Sequence, residues 1–364
     1  MKHNVFITGG AGYVGAMLCE QFLLRADVDM VIALDKEGPK DIMIDLLENT
    51  EHKDRLIYIK HDMSKDGWQE KVARYNPEIV IHTAWQIREI YGDRGLSYRW
   101  NITGSDKIFD FAFDTVSVKK LIHFSTVASY GAFADNSTHH FFTEEEKFRE
   151  TNYLYAEEKR QSEKNLENKY KNLSQDVKNR VQVFILRPAA ITGPRGRVGR
   201  IRFGLQSALS GSLKGTSFIN NVVSALTSFV PITTNWLRQY IHEDDVTDIV
   251  TTICFGKYFE SSPETYEVFN IAPGGKCVMG PDMAKAVNKR YINIHPQIIR
   301  FVFFFMWHAT RGRIPTGEGV WKGYSYPIPV DGSKISKRCN YDYRYNSHEA
   351  FTKNEGRYSG KNVK

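Results

Sequence analysis

The stretch Val5-Phe6-Ile7-Thr8-Gly9-Gly10-Ala11-Gly12-Tyr13-Val14-Gly15 limits what this chain can fold into more tightly than any other. Val5 to Ile7 reads as a buried strand, four glycines break it, and Val14, Met17, Leu18 and Phe22 then recur at helical spacing. In Gly10-x-Gly12-x-x-Gly15 one glycine serves the tight bend, one admits a ligand close to the backbone, and one packs helix on strand. The N–H groups and positive dipole end of the new helix would hold a diphosphate. Such a turn binds a dinucleotide, with Gly9, Gly12, Tyr13, Val14 and Gly15 as the contacts. A glycine spacing alone also suits a flexible loop. The strand before it, the helix after it and a carboxylate at the right distance favour the dinucleotide.

That carboxylate is Asp35, about twenty residues beyond Gly15, at the end of a second apolar run from Met30 to Leu34. It can accept both ribose hydroxyls of an adenosine and would repel a 2′-phosphate, so NAD is expected rather than NADP, although Lys36 is adjacent. Leu56 to Ile59 is a third strand, followed by Asp62 and Met63; Asp62 suits an adenine amino group or, equally well, a helix N-cap. Ile79 to Ala84 is a fourth strand, with Thr83 and Ala84 small where a cofactor would pass and His82 structural. A helix over 100–116, a strand Leu121–Phe124 running into Ser125-Thr126, a polar loop over 133–150, a helix from Tyr153 to Lys171 and a strand Val181–Leu186 closed by Arg187-Pro188 complete the first half. This alternation predicts an α/β protein with a parallel sheet. Residues 190–235, opened by Gly193-Pro194-Arg195-Gly196-Arg197, look like a substrate-side insertion, and strands return at Leu237–His242 and Glu267–Ile271.

Apolar residues at 41% and charged ones at 25% are those of an ordinary soluble globular protein. The formal charge of +7 suits an anionic ligand or a weak surface attraction to membranes and does not argue for nucleic acid. Four cysteines with neither paired nor metal-ligand spacing fit reduced thiols in a cytoplasmic protein that holds no metal. The first strand starts near residue 4, which leaves no room for a signal peptide. No apolar run approaches the roughly 20 residues of a membrane span. The nearest, Phe301 to Trp307, reads as a buried helix or strand; the alternatives are a hydrophobic substrate wall or a membrane-touching face. Membrane contact is not expected.

Tyr155-Ala-Glu-Glu-Lys159 carries the chemistry. Of 19 tyrosines, Tyr155 alone is followed by lysine four residues on, so on a helix the phenol and ammonium share a face. A phenol with pKa near 10 is a poor base at neutral pH, and lowering it about three units takes roughly 4 kcal/mol. A neighbouring ammonium and a cationic nicotinamide can supply that. Tyr155 would then move the proton at a carbinol or ketone while hydride is exchanged with the cofactor. Tyr153 competes for the role, but its i+4 residue is Glu157, which would raise a phenol's pKa. Thr126 would orient the reacting oxygen, unless it is a strand-end cap; Ser125 and Ser129 are alternates.

Taken in order, Thr8 to Gly15, Asp35, Asp62, His82-Thr-Ala84, Asn101, Ser125-Thr126 with Tyr130-Gly131, Tyr155-xxx-Lys159, Leu186-Arg-Pro188, Gly193-Pro194, Arg238-Gln-Tyr-Ile-His242 with Asp245, and Asn270 resemble the extended short-chain dehydrogenase/reductases, the NAD-dependent epimerase/dehydratase family. The resemblance implies a Rossmann-type doubly wound sheet in residues 1–189, completed by about 236–271. It implies a smaller mixed α/β C-terminal substrate-binding domain from 190–235 and 272–350, with 351–364 a disordered basic tail. It further implies that Met63, Asn101, Ser125 and Pro188 border the cofactor, that Lys159 grips the nicotinamide ribose, and that the chain works as a homodimer. Arg238 matches a position that contacts a sugar nucleotide's diphosphate, and Arg195, Arg197, Arg200 and Arg202 join it as diphosphate ligands or as a solvated basic loop. Family dehydratases carry Asp-Glu directly after the Thr, where Val127-Ala128 stand here, so 4,6-dehydration is set aside. Ala190 replaces the Asn usual in UDP-galactose-type epimerases, and the Arg-Pro start with the Phe-rich run looks more like members acting on hydroxysteroids. An oxidoreductase or epimerase of a nucleotide sugar is expected. A hydrophobic hydroxy or keto substrate is the alternative, and an NAD-holding protein without turnover is a third reading.

Overall fold

Side chains along the central strands alternate between two buried apolar layers. In β1 (His3–Thr8) Val5 and Ile7 enter one layer and Phe6 the other. In β2 (Val28–Asp35) Val31 and Ala33 oppose Ile32 and Leu34. Strands buried on both faces need helices on both faces, and that is the doubly wound arrangement. The computed structural model describes residues 2–40, 42–196, 229–259, 265–286 and 290–359.

After β3 (Leu56–Lys60), β4 (Ile79–His82), β5 (Lys120–Phe124) and β6 (Gln182–Pro188) come four short strands, β7 (Ala190–Thr192), β8 (Phe229–Ile232), β9 (Leu237–Arg238) and β10 (Tyr240–His242), and then β11 (Tyr266–Ile271). The central sheet has seven strands in the order β11-β6-β5-β4-β1-β2-β3, all parallel. The order reverses between β1 and β4, so the ligand crevice of such a sheet opens beyond the carboxyl ends of those two strands.

Helices α1 (Tyr13–Leu23) and α2 (Ile42–Asn49) cover one layer. The other is covered by α3 (Gln69–Ala73), α4 (Arg94–Tyr98) with the π turn Arg99–Thr103, α5 (Gly104–Asp114) and α6 (Leu154–Lys171). The helix expected over 100–116 therefore starts earlier and passes through a π turn that buries Asn101. After α7 (Gln175–Arg180), α8 (Glu243–Phe255) returns to the first layer through Val246, Ile249, Val250 and Ile253. The expected single strand Leu237–His242 is two: β9 runs antiparallel to β12 (Val278–Met279) and β10 parallel to β7.

The remainder comprises α9 (Gly280–Ala286), β13 (Arg290–Asn293) paired with β8, α10 (Pro296–Ala309), α11 (Ser333–Cys339) and α12 (Ser347–Thr352). Trp236, Val278, Ala284 and Phe351 give this part its own small core. Residues 351–359 do not behave as the expected disordered tail. Arg357 bonds Asp248 Oδ1 at 2.7 Å and Gln21 Oε1 at 2.8 Å, and Tyr358 is 2% exposed. The tail's cation is drawn in by the acidic residues of α8; residues 360–364 lie outside the described ones.

Candidate active site

Because all seven central strands are parallel, their carboxyl ends deliver the motif residues to one edge of the sheet. At the end of β1, Gly9 has φ +75° and donates its N–H to Leu34 O at 2.8 Å, while Gly12 N–H donates to Gly9 O at 2.8 Å. A Cβ on Gly9 would lie 2.8 Å from Ala84 N, and one on Gly15 would collide with Gly9 O. The turn is therefore filled by backbone alone. Helix α1 starts at an uncapped Gly12 and makes its first intrahelical bond from Ala16 N to Gly12 O at 3.0 Å, so no side chain claims the N–H groups of its first turn. Thr83 Oγ1 donates to Thr8 O at 2.7 Å and Ala84 N to Thr8 Oγ1 at 3.2 Å, which locks the β4 end beside the turn. The Tyr13 hydroxyl is held by the buried Glu243 carboxylate, and Val14 is half-buried. A dinucleotide fits this cradle, which any added Cβ would fill.

Asp35 Oδ2 accepts Ala11 N–H at 3.1 Å and Oδ1 accepts Glu37 N–H at 3.0 Å, so the carboxylate stands against the glycine turn. Lys36 points elsewhere: its ammonium lies 3.2 Å from the centre of the Trp100 ring, and burial pulls its pKa down. Asp62 Oδ1 closes a turn onto Ser64 N (2.9 Å) and Oγ (2.7 Å), and Oδ2 accepts Trp100 Nε1–H at 3.2 Å. Burial would raise the Asp62 pKa, but these donors outweigh it and hold it low. Asp62 does not cap a helix, since the next one, α3, begins at Gln69 behind Trp68. Met63 is buried against Gly104. Asn101 spends both amide atoms inside the protein, accepting Gln86 N–H at 2.7 Å and donating to Gln86 O at 3.0 Å and Glu158 Oε2 at 2.6 Å. It fixes the loop after β4. His82 bonds Thr8 Oγ1 (2.7 Å) and Ser105 Oγ (2.8 Å), a structural role.

Helix α6 turns an unusually polar stripe inward: Ala156, Lys159, Glu163 and Leu166, together with Glu158 and Ser162. Buried charges of this kind are costly unless paired. Lys159 is 3% exposed, donates to Phe124 O, and lies 3.6 Å from the centre of the Trp85 ring. Burial holds its pKa well below the usual lysine value, and Glu163 and Glu158 oppose that shift. Tyr155 is half-buried, its ring 5.6 Å from that of Tyr153. The Tyr153 phenol is pushed up, as expected, but burial and then Tyr155 are responsible rather than Glu157.

Thr126 Oγ1 accepts Ala128 N–H at 3.1 Å and caps the short turn Val127–Tyr130; a threonine hydroxyl that accepts there still has its proton to donate. Ser125 Oγ is buried with no partner, whereas Ser129 Oγ is committed to Ala156 O at 2.9 Å. Just before α6, Glu150 Oε1 accepts the N–H groups of Thr151 (3.0 Å), Asn152 (2.9 Å) and Tyr153 (3.2 Å) and the Lys322 ammonium (2.9 Å).

On the presumed substrate side the structure separates the expected arginines. Arg238 Nη2 donates to Gly323 O at 2.6 Å, and its charge acts on the phenols of both Tyr153 and Tyr324, so it stands beside the Tyr155 end of α6. Arg195 does not face this side. It pairs with Glu20 of α1, and its guanidinium stacks 4.0 Å from the centre of the Tyr358 ring, because a guanidinium side chain only 5% exposed needs a counter-charge. Arg197, Arg200 and Arg202 lie outside the described residues.

Pro188 is buried at the end of β6. Beside it, Arg187 binds Glu163 (Nε to Oε1 3.1 Å) and donates to the Tyr130 hydroxyl at 2.8 Å, which in turn bonds Asn270 Oδ1 at 3.0 Å. Three signature positions thus form one buried scaffold network. The sequence reading missed Trp85, Glu150 and Glu163; only two carried a signal, Trp85 following Thr83-Ala84 directly and Glu163 lying four residues beyond Lys159. Among the described residues no cluster of His, Cys, Asp or Glu is placed to hold a metal ion.

Comparison with known proteins agrees with this geometry. The chain is 27% identical over 131 residues to the UDP-glucose 4-epimerase of Mycolicibacterium smegmatis, covering 35% of this chain and 40% of that one. It is 27% identical over 117 residues to the dTDP-glucose 4,6-dehydratase of Neisseria gonorrhoeae, covering 30% and 32%. The chain thus spans less than half the length of either curated relative it matches. The enzyme WbmG of Bordetella bronchiseptica, solved in complex with NAD and UDP, shares the fold over 97% of this chain and 93% of its own at 19% identity, with a TM-score of 0.66. Residues 5–272 match the family of NAD-dependent epimerases and dehydratases. With the glycine cradle, the parallel sheet and that match together, the chain belongs to the NAD-dependent epimerase/dehydratase family, whose members are extended short-chain dehydrogenase/reductase enzymes.

Proposed function

We propose that this protein is an NAD-dependent oxidoreductase or epimerase acting on a secondary alcohol or ketone of a nucleotide sugar, with Tyr155, Lys159 and Thr126 as its catalytic group. One observation carries the reading: the Lys159 ammonium donates to Phe124 O, the last carbonyl of β5. That bond presses the Tyr155/Lys159 face of α6 against the strand end from which Ser125 and Thr126 emerge. The glycine cradle lies two strands away on the same edge.

NAD, when bound, supplies the hydride acceptor or donor. Gly9, Gly12, Val14 and Gly15 would hold its diphosphate by main chain, with the Tyr13 backbone beside them, and Asp35 its adenosine ribose. Thr83 and Ala84 would line its path; Asp62, Met63 and Asn101 shape the adenine side, Ser125 and Pro188 the nicotinamide side. Tyr155 takes the proton from the carbinol oxygen or returns it to a ketone. Thr126, its Oγ1 already fixed by Ala128 N–H, orients that oxygen by donating its own proton. Lys159, buried and short of solvent, favours a negative phenolate beside it, because a buried ammonium is stabilised by an opposite charge.

Arg238 is the remaining described arginine for a diphosphate, and bidentate guanidinium contacts suit one. Relatives named as acting on UDP- and dTDP-sugars support the substrate class. Residues 1–189 with 236–271 form the NAD-binding part and 190–235 with 272–350 the substrate part. All four cysteines are free, in keeping with a cytoplasmic protein.

Tyr155→Phe is expected to abolish turnover and leave NAD affinity nearly unchanged; persisting activity, or collapsed NAD binding, refutes the assignment. A thermal-shift comparison with NAD present tests the substrate class, since ligands stabilise by mass action. UDP-, GDP- or dTDP-sugars should raise the melting temperature. A response to sterol-like alcohols alone sinks the sugar reading.

A further inference from the structure

Helix α10 carries apolar side chains on two opposed faces. Ile299, Phe303 and Trp307, spaced i, i+4, i+8, are buried against the body of the protein. There Phe303 packs edge-on to Tyr324 at 5.2 Å and Trp307 to Tyr91 at 5.4 Å. The opposite face holds Ile298, Phe301, Val302 and Phe305 at i, i+3, i+4, i+7, with Phe304 beside them. Phe301, Phe304 and Phe305 are 70%, 64% and 62% exposed. The expected buried run is therefore buried on one side only, and Phe301, Phe304 and Phe305 face solvent. Contiguous exposed aromatic surface of this kind marks an interaction site.

The charge around the helix selects the partner. Between Asp282 and Glu318 the sequence contains Lys285, Lys289, Arg290, Arg300, Arg311 and Arg313 and not one acidic residue. At the C-terminal end Glu89 and Glu318 share Arg94, at 2.9 and 3.1 Å, and leave one net negative charge against Arg311 and Arg313. A second copy of the chain meeting α10 on α10 would therefore bring two net cationic clusters together. An anionic bilayer offers acyl chains to the phenylalanines and headgroup phosphates to the arginines, the combination that holds an interfacial helix in a membrane surface. Among the described residues no helix is long and apolar enough to cross a membrane.

We infer that the outer face of α10, through Ile298, Phe301, Val302 and Phe305 with its flanking arginines, docks the protein onto an anionic lipid surface. Through Phe303 and Tyr324 the docked helix packs beside Gly323, whose carbonyl accepts from Arg238. The inference stands apart from the reading of the reaction, because it uses no residue of the proposed catalytic group.

The test uses the full chain in co-sedimentation with vesicles of phosphatidylcholine containing about 30% phosphatidylglycerol, against pure phosphatidylcholine. Binding is expected to the anionic vesicles only, and to weaken as salt screens the headgroups. The variant Phe301→Gln/Phe305→Gln should lose roughly tenfold or more in affinity, and Arg311→Gln/Arg313→Gln roughly fivefold per charge. Both pairs of side chains are exposed, so the melting temperature should hold. No binding to anionic vesicles, or binding indifferent to the Phe variant, overturns the inference. So does a concentration-dependent dimer that the Phe variant abolishes, which would give the surface to a second copy.

Discussion

Glu150 offers the sharpest test of how the site is held. One oxygen of this carboxylate receives three main-chain N–H groups and the Lys322 ammonium, at 2.9 to 3.2 Å. The side chains are 2% and 12% exposed, so water cannot substitute. Glu150→Gln keeps the shape and one acceptor oxygen but removes the charge, weakens four charge-assisted bonds and leaves the half-buried Lys322 ammonium without its counter-charge. Breaking a buried pair from one side costs about 3–5 kcal/mol, and the retained amide oxygen places this variant near ~3 kcal/mol. Replacing both partners, Glu150→Gln/Lys322→Met, should recover part of the loss, with a coupling of about 1–3 kcal/mol. Urea unfolding of the four proteins measures both quantities.

The pH dependence has a fixed sign. Burial would raise the Glu150 pKa, but Lys322 and the N–H donors outweigh it and hold it below the ordinary 4.5. A depressed carboxyl stabilises fully above its unfolded pKa and loses that stabilisation as pH falls through its folded value. The gap between wild type and Glu150→Gln should therefore be constant above about pH 5 and close as pH drops below 4.5. A loss below about 1 kcal/mol, additive single variants, or a gap that widens in acid refutes the reasoning.

Further outcomes follow from the same geometry. Gly15→Ala forces a Cβ into Gly9 O, so NAD affinity should fall by at least about tenfold along with a lower melting temperature; unchanged affinity by fluorescence titration contradicts the cradle. Arg195→Ala should lower stability and leave KM unchanged, because its partners are Glu20 and Tyr358, while Arg238→Ala should raise KM with little change in stability. Steady-state kinetics with thermal melts separates the two, and a KM effect at Arg195 means the loop sits differently in solution. Asp35→Ala should move cofactor preference toward NADP by about tenfold or more, read as the ratio of kcat/KM for the two cofactors.

The parallel sheet, its crevice and the cofactor cradle were legible in the amino-acid sequence because their signals are local. Period-2 burial in Val5, Phe6 and Ile7, glycines where a Cβ meets backbone, and Lys159 one helical turn after Tyr155 each depend on near neighbours in the chain. What tertiary structure alone decided depends on partners far away. Arg195 could have served a diphosphate; Glu20, 175 positions earlier, and the ring of Tyr358 claim it. Asp62 is placed by two partners, nearby Ser64 on one oxygen and, far along the chain, the Trp100 ring N–H on the other. Tyr130, Arg187 and Asn270 read as site signatures and prove to be one buried network tied to Glu163. The phenylalanine run reads as a buried helix or strand by pattern, yet which of its rings meet solvent depends on where Tyr324 and Tyr91 sit. A charged or aromatic side chain is satisfied by whatever opposite charge or apolar surface the fold brings within a few ångströms, and no spacing rule along the chain encodes that meeting.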